Sequence, residues 1–533
     1  MTKPFLLKHS YLFLAGLYLL AVGLPLSKFL TGFSQIVLLA SFFMEGNFAE
    51  KLQRLKQNKI VWIISGIWLM HLAGLLYSEN IHSGLWDARM KMPILILTLV
   101  AGTAVPVTRE TVTRILWAFT GAVLTGTLVS TAVLAGIIVR PVDDIRDIFI
   151  FNISHIRFAL FTCLAIFFLA QQAAGKATFS LAARIGSVLL MVWLVAFLFL
   201  AESVTGLAIL FTLALPALVV LGLTRKNKRT QVTILAVALL FPAVVAIKAL
   251  AFLKELNTPH EVVVNTSDRT ALGNGYSFSP DDHRTENGYR IWNYVNYDEM
   301  REAWNKRSSM PYDSLDRKSQ LLSHTLVRYL TSLGYRKDGE AVGKLTASDI
   351  HLIESGIANC QYAGTSNFKA RLMELNWEYQ QAMYKQSASG HSATMRVEFW
   401  KAGMQILKKH FWTGVGTGDL QQAFNRQYEE SKSSLGLQWR LRAHNQYLSI
   451  MLAFGIFGLL YFLFALFYPM FKLKMHRDFL YVMFFCIIML SMLTEDTLET
   501  PAGSAFFALF NSLFLFSLPE KREKTIEAIS KSD

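Results

Sequence analysis

Long apolar runs alternate with short polar ones along most of this chain. A helix needs roughly 17–25 apolar residues to cross a bilayer. About twelve such runs can be read, near 11–30, 31–44, 60–77, 92–108, 113–138, 156–171, 185–201, 206–223, 231–253, 445–470, 479–496 and 502–518. The second is short, and only Glu202-Ser203-Val204-Thr205 separates the seventh from the eighth. The pattern predicts an all-α polytopic membrane protein of about twelve transmembrane helices with one large, partly helical loop. Helices 1–9 take residues 1–253, the loop takes 254–443, helices 10–12 take 444–518, and 519–533 form a tail. The first run is too long for the apolar core of a secretory signal and lacks a clear small-residue cleavage site, so it is read as a retained helix.

The 254–443 stretch is longer than any connection needs to be, and a structureless loop of that length is unusual. Apolar residues at helical spacing predict helices over Ser319–Leu333, Phe368–Tyr384 and Thr394–Phe411. Asp419 precedes a further short helix, with Gln422 placed to complete a capping box. Asn257–Trp304 is rich in Asn, Asp, Tyr and Gly and reads as irregular.

Charge orients this pattern. Lys and Arg gather in alternate loops: Lys51, Arg54, Lys56 and Lys59; Arg109 and Arg114; Lys176 and Arg184; Arg225 to Arg229; Lys472, Lys474 and Arg477; then the tail. The positive-inside rule makes that side cytoplasmic. Both termini then lie inside and the large loop lies outside. The formal net charge of +14 therefore reports membrane orientation and excludes nucleic acid as the partner. With 53% hydrophobic residues and a mean hydropathy of +0.35, composition agrees with a membrane chain. Three cysteines, two of them inside apolar runs, make neither a disulfide framework nor a metal site.

The chemistry concentrates between Arg396 and Gly458: Arg396-x-x-x-Trp400, Gly414-Val-Gly416-Thr-Gly418-Asp419, His444-Asn445-Gln-Tyr-Leu448 and Gly455-x-x-Gly458. His444 stands at the start of an apolar run, part wet and part desolvated, where an imidazole titrates near operating pH. It can take a proton from an attacking hydroxyl. Its bland reading is a helix-start histidine beside a capping Asn445. Arg396 and Trp400 share a helix face; the arginine can fork onto a diphosphate and the tryptophan can anchor at the interface. The bland reading there is an amphipathic helix lying on the bilayer. The glycines follow a helix rather than a strand, so a dinucleotide fold is excluded. They suit a tight reversal, with Gly416 amides a lesser candidate for phosphate. Arg89, His155-Ile-Arg157, Arg440 and Arg442 fall on the same side. An arginine at the mouth of a span is usually a snorkelling anchor, but several converging ones build an anion site.

These residues resemble the O-antigen ligase-like membrane proteins, a superfamily of O-antigen ligases, O-antigen polymerases and protein O-oligosaccharyltransferases. The likeness is specific over about 390–470, and the topology extends it. It implies a glycan donor on undecaprenyl diphosphate, a lipid or glycolipid acceptor such as lipid A core, no cofactor, no metal, inversion at the anomeric carbon, and a place in a bacterial inner (cytoplasmic) membrane with the large loop periplasmic. It implies His444 as general base with Arg396 at the diphosphate. Arg89, Arg157, Arg442, Trp400, Gly416 and Asn445 are the further substrate-binding candidates. Many members carry an arginine just after a serine near the seventh–eighth span junction; Glu202-Ser203-Val204-Thr205-Gly206 lacks it, so either Arg157 or Arg89 substitutes or this branch holds its donor differently. One large outer loop, rather than two, favours ligase over polymerase. A transporter would place ionisable groups near the bilayer midplane, whereas these spans are mostly free of charge at their centres.

Overall fold

The computed structural model describes residues 3–140, 145–149, 151, 153–175, 180–224, 227–258, 260, 265–363, 367–384 and 392–517. It divides into two compact units, Met1–Pro216 with Met395–Asp533, and Ala217–Thr394. The first holds the helices α1 (Lys3–Leu26), α2 (Lys28–Met44), α3 (Phe48–Gln57), α4 (Lys59–Ala73), α5 (Ile81–Met90), α6 (Met92–Thr103), α7 (Arg109–Leu134), α8 (His155–Ala174), α9 (Leu181–Leu200) and most of α10 (Val204–Leu223). The second unit begins within α10 and continues with α11 (Lys228–Asn257), α12 (Tyr297–Asn305), α13 (Leu322–Ser332), α14 (Gly339–Gly343), α15 (Ala347–Glu354) and α16 (Asn367–Met383). The chain then returns to the first unit through α17 (Ser392–Lys409), α18 (Leu420–Glu430), α19 (Gln446–Lys472), α20 (Phe479–Thr494) and α21 (Pro501–Leu515).

Among the described residues seven helices are long and apolar enough to cross a membrane, or eight if α2 and α3, bent by 109°, count as one span. Four shorter apolar helices accompany them: Tyr11–Leu26, Met92–Thr103, Phe479–Thr494 and Pro501–Leu515. The protein is thus a helical membrane protein. One boundary moves. The apolar run at 479–496 ends as a helix at Thr494, and Glu495 takes an extended backbone as its C-cap. Glu495 and Asp496 therefore sit in the turn before α21 rather than inside a span.

Two helices of the first unit are enclosed on every side. All residues from Arg157 to Leu169 of α8 are buried, as are all from Gly503 to Leu515 of α21. Lipid tails are as apolar as these side chains, so packing, not water exclusion, holds such helices together. Tilted and edge-on phenylalanine pairs supply it, including Phe119–Phe510 and Phe161–Phe506, each with centroids 4.8 Å apart. Such pairs are worth about 1 kcal/mol each. By contrast α9 leaves Ile185, Leu189 and Val192 exposed, one apolar face for lipid.

The second unit has its own core of Ile291, Val295, Met300, Trp304, Leu326 and Leu330. It departs from a purely helical pattern. Asn257–Trp304, expected to be irregular, forms two small antiparallel ladders, Ser277–Phe278 with Asn293–Val295 and Thr285–Glu286 with Tyr289–Arg290, followed by α12. Side-chain pairing across short ladders leaves little periodicity to read. A buried Arg328–Glu286 ion pair at 3.0 Å, with the guanidinium 3.7 Å from the Trp377 ring, ties one ladder to α13 and α16.

Candidate active site

Helix periodicity puts Arg396 and Trp400 on one side of α17, and the structure uses each for a different purpose. The Trp400 indole N–H donates to the Ala443 carbonyl at 2.9 Å. That bond pins the residue before His444. His444 itself has φ +47°, a left-handed conformation that histidine tolerates better than most residues. The turn delivers the chain into α19. Asn445 then caps the helix, its side chain accepting the Leu448 N–H at 3.0 Å while its amide donates to the Leu493 carbonyl at 2.9 Å. Both ends of that amide are engaged, so Trp400 and Asn445 act here as fasteners of the His444 turn.

Three cationic or titratable groups converge on one carboxylate. The Arg396 guanidinium lies 2.8 Å from Glu495, Arg157 lies 3.4 Å from it, and His444 Nδ1 lies 3.9 Å away. Arg157 also donates to the Asp496 carbonyl at 3.2 Å. Glu495 is buried, Arg157 nearly so, and Arg396 is partly open. The Nε–H groups of Arg157 and Arg396 are buried and have no acceptor among the described residues. The His444 ring lies 5.7 Å from the Phe399 ring. Burial lowers its pKa; the Glu495 charge raises it, and Arg396 and Arg157 lower it further, for a net depression. At neutral pH the imidazole is therefore uncharged and able to accept a proton.

A second set of charges adjoins the first. Arg442 pairs with Asp87 at 2.7 Å and lies 4.0 Å from Glu499. Glu499 also binds Lys91 at 2.5 Å and accepts from the Gln446 amide at 3.0 Å. Burial alone would raise the Glu499 pKa, but Lys91, His71 and Arg442 together hold it below the ordinary carboxylate range. At Asp496 the balance tips the other way. Burial raises it to about 7, its neighbours Glu499 and Glu495 add to this, and the Ser449 hydroxyl, with a 2.7 Å hydrogen bond, and the Arg442 charge oppose it. Asp496 is thus held well above the ordinary carboxylate range.

Asp87, Lys91, Glu495, Asp496 and Glu499 were not singled out by the sequence reading. A signal existed: Glu495-Asp-x-x-Glu499 is an acidic cluster between two apolar runs, which is rare unless paired or functional. Asp87 and Lys91 are four apart on one side of α5 and its end, both turned to the cluster. Arg89 lies between them, about 200° round the helix from each. It is exposed, 5.5 Å from the Trp86 ring, with no ion pair among the described residues. The structure brings His444, Arg396, Arg157 and Arg442 into one neighbourhood and leaves Arg89 outside it.

The glycine turn has a structural role that the sequence did not reveal. α19 is broken at Gly455, whose φ and ψ are +66° and −168°. Non-helical backbone inside an apolar helix frees polar groups that must find partners. Residues 411–416 supply them. The Val415 and Gly416 amides donate to the Leu452 and Ala453 carbonyls, both at 2.9 Å, and the Ile456 amide donates to Phe411 at 2.9 Å. Gly414 and Gly416 have φ of +71° and +94°. A side chain at Gly414 would overlap the Ala453 backbone, and one at Gly455 the Trp412 carbonyl. The Gly416 amide is thereby spent on α19 rather than held open for a phosphate. The expected capping box also fails. Asp419 makes no cap bond to α18. Its carboxylate accepts the Glu79 and Asn80 amides instead, at 2.7 and 2.8 Å, two donors that the sequence places far away.

Among the described residues no group of three His, Cys, Asp or Glu side chains is placed to hold a metal. No curated protein matches the chain. Residues 353–463 match the family described as O-antigen ligase. The stretch that carries Arg396, the glycine turn, His444 and the break at Gly455 is therefore similar to the O-antigen ligase family.

Proposed function

We propose that this protein is a membrane glycosyltransferase of the ligase type. It moves a glycan from undecaprenyl diphosphate to a hydroxyl of a lipid-borne acceptor, such as lipid A core, on the extracytoplasmic face of a twelve-span bundle. The observation that carries the reading is the meeting of Arg396, Arg157 and His444 at the Glu495 carboxylate. Two guanidiniums that already gather round one anion, each with an Nε–H to spare, suit the diphosphate of the donor.

In the reaction His444 takes the proton of the acceptor hydroxyl as its oxygen attacks the anomeric carbon. The new C–O bond forms while the bond from that carbon to the phosphate oxygen breaks. The electron pair leaves with undecaprenyl diphosphate, whose charge Arg396 and Arg157 stabilise. A single displacement inverts the centre. Glu495 steadies the imidazolium that results, and Trp400 and Asn445 hold the histidine at a fixed place. Arg157 takes the part left by the arginine absent near Ser203. A polymerase would use the same chemistry with a lipid-linked repeat as acceptor. Polymer stranded on its carrier lipid in a deletion strain means ligase; single repeats on the acceptor mean polymerase.

The direct test is transfer by the purified protein from a lipid-diphosphate glycan. His444→Ala is expected to fold, with an unchanged melting profile, and to lose transfer. Arg396→Lys, which lacks the planar fork, is expected to lose most of it. Normal transfer by His444→Ala would end the proposal. A tag at residue 300 reachable only from the cytoplasm would end its sidedness.

A further inference from the structure

A groove of about 580 Å³ runs along α4 and α19, lined by none of the residues that meet at Glu495. Its walls carry Trp62, Leu69, Phe457 and Tyr461, of which Trp62, Leu69 and Phe457 are exposed. Glycines shape its floor. The Tyr461 hydroxyl donates to the Ile63 carbonyl at 2.9 Å across Gly66, where any side chain would overlap the phenol. Gly458 lets the Phe454 ring fold back over α19. From Trp62 to Tyr77 the groove follows α4 for on the order of 20 Å, more than half the thickness of a bilayer's hydrocarbon core.

At Tyr77 the groove meets a second cleft of about 250 Å³ that also borders Tyr77. The glycine turn forms the junction: the Tyr77 hydroxyl donates to the Thr413 and Ala453 carbonyls at 3.1 and 3.2 Å, beside the break in α19. The cleft is polar, with Glu79, His410, Gln422 and Arg426 at its edge. All four side chains are exposed and make no hydrogen bond or ion pair among the described residues. An apolar trough and a polar pocket thus adjoin at Tyr77, the outline of an amphiphile.

The polar end distinguishes between the two amphiphiles that the proposed reaction needs. A diphosphate calls for concentrated positive charge, which stands at Arg396 and Arg157. The cleft offers two carboxylates, Glu79 and Asp419, against one guanidinium, with one amide and one imidazole. That mixture accepts from and donates to hydroxyl groups. Phe454, in the groove wall where the two cavities adjoin, lies apart from His444: the nine-residue step along α19 from Asn445 to Phe454 spans about 14 Å. A sugar headgroup of a few residues bridges such a distance. We propose that the groove and cleft together dock the acceptor glycolipid, its acyl chain along Trp62, Leu69 and Phe457 and its sugars against Glu79, His410, Gln422 and Arg426. The proposal rests on the transferase reading for its choice of acceptor over donor.

The test uses the full-length protein in nanodiscs with an acylated glucosamine disaccharide bearing a diazirine in its acyl chain. Irradiation is expected to label peptides from Trp62–Tyr77 and Phe454–Tyr461, in the wild type and in His444→Ala alike. The double variant Gln422→Ala/Arg426→Ala alters only exposed side chains and is expected to lower labelling roughly tenfold, the equivalent of one or two lost polar contacts. Unlabelled undecaprenyl diphosphate should not compete. Equal labelling by a diazirine phosphatidylglycerol, or competition by undecaprenyl diphosphate, would overturn the proposal, the first in favour of bulk lipid and the second in favour of the donor's chain. Labelling needs no turnover, so a protein that labels as expected yet transfers nothing refutes the transferase reading alone.

Discussion

Replacing Glu495 by glutamine keeps the shape of the side chain and removes the charge that two guanidiniums and an imidazole share. Glu495 lies 3.9 Å from His444 Nδ1. Coulomb's law at that separation gives about 1 kcal/mol in water and about 4 kcal/mol at an effective dielectric of 20. The imidazole is 36% exposed, so solvent screening favours the lower part of that range, about 1–2 kcal/mol. The sign follows from the charge. Glu495 favours the imidazolium, so its loss depresses the His444 pKa further, and Arg396 and Arg157, no longer offset, act in the same direction. One pKa unit corresponds to about 1.4 kcal/mol. The acid limb of kcat/KM for transfer, which reports the free-enzyme base, is expected to move to lower pH by about one unit in Glu495→Gln. The maximal rate should fall, because the imidazolium formed during reaction loses its counter-charge. The assay is a pH series of initial rates with purified protein and lipid-diphosphate glycan, alongside a melting curve, since unpaired buried guanidiniums also cost stability. An acid limb that stays in place or moves to higher pH, in a variant that remains folded and active, would refute His444 as the titrating base beside Glu495.

Asp496→Asn is expected to stabilise the protein more at pH 8 than at pH 5. The folded-state pKa of Asp496 is raised to about 7, so its contribution is fully present below the unfolded value near 4 and is lost as pH rises through 7; paired melting curves check this. Gly455→Ala forces a side chain into a backbone region reserved for glycine and against the Trp412 carbonyl; a loss of at least 2–3 kcal/mol, on the order of the strain alone, should appear as a lower melting temperature or reduced yield from membranes. Arg89→Ala should leave transfer within about twofold of normal, as expected for an exposed residue. Asp87→Ala, which strips Arg442 of its 2.7 Å partner, should reduce it at least tenfold; equal effects of the two in one transfer assay would contradict the geometry.

Local spacing made much of this protein legible. Apolar runs of membrane length have only one way to satisfy their backbone, so α4, α7, α8, α9, α10 and α19 could be read directly. The four-residue step from Arg396 to Trp400 predicted a shared helix side, and His444-Asn445 before an apolar run predicted the start of α19. Each rests on interactions between near neighbours. The Glu495 carboxylate was opaque for the opposite reason: as the last residues of an apolar run, Glu495 and Asp496 read as a span end, and nothing local ties them to Arg157 or Arg396. Likewise Gly414, Gly416 and Gly455 advertised unusual backbone, but not that one mends the break in the other. A helix records its own periodicity in sequence, whereas the pairing of a buried charge or a freed carbonyl depends on which distant segment packing brings beside it. Here that packing, around the enclosed helices α8 and α21, decided where the cations meet.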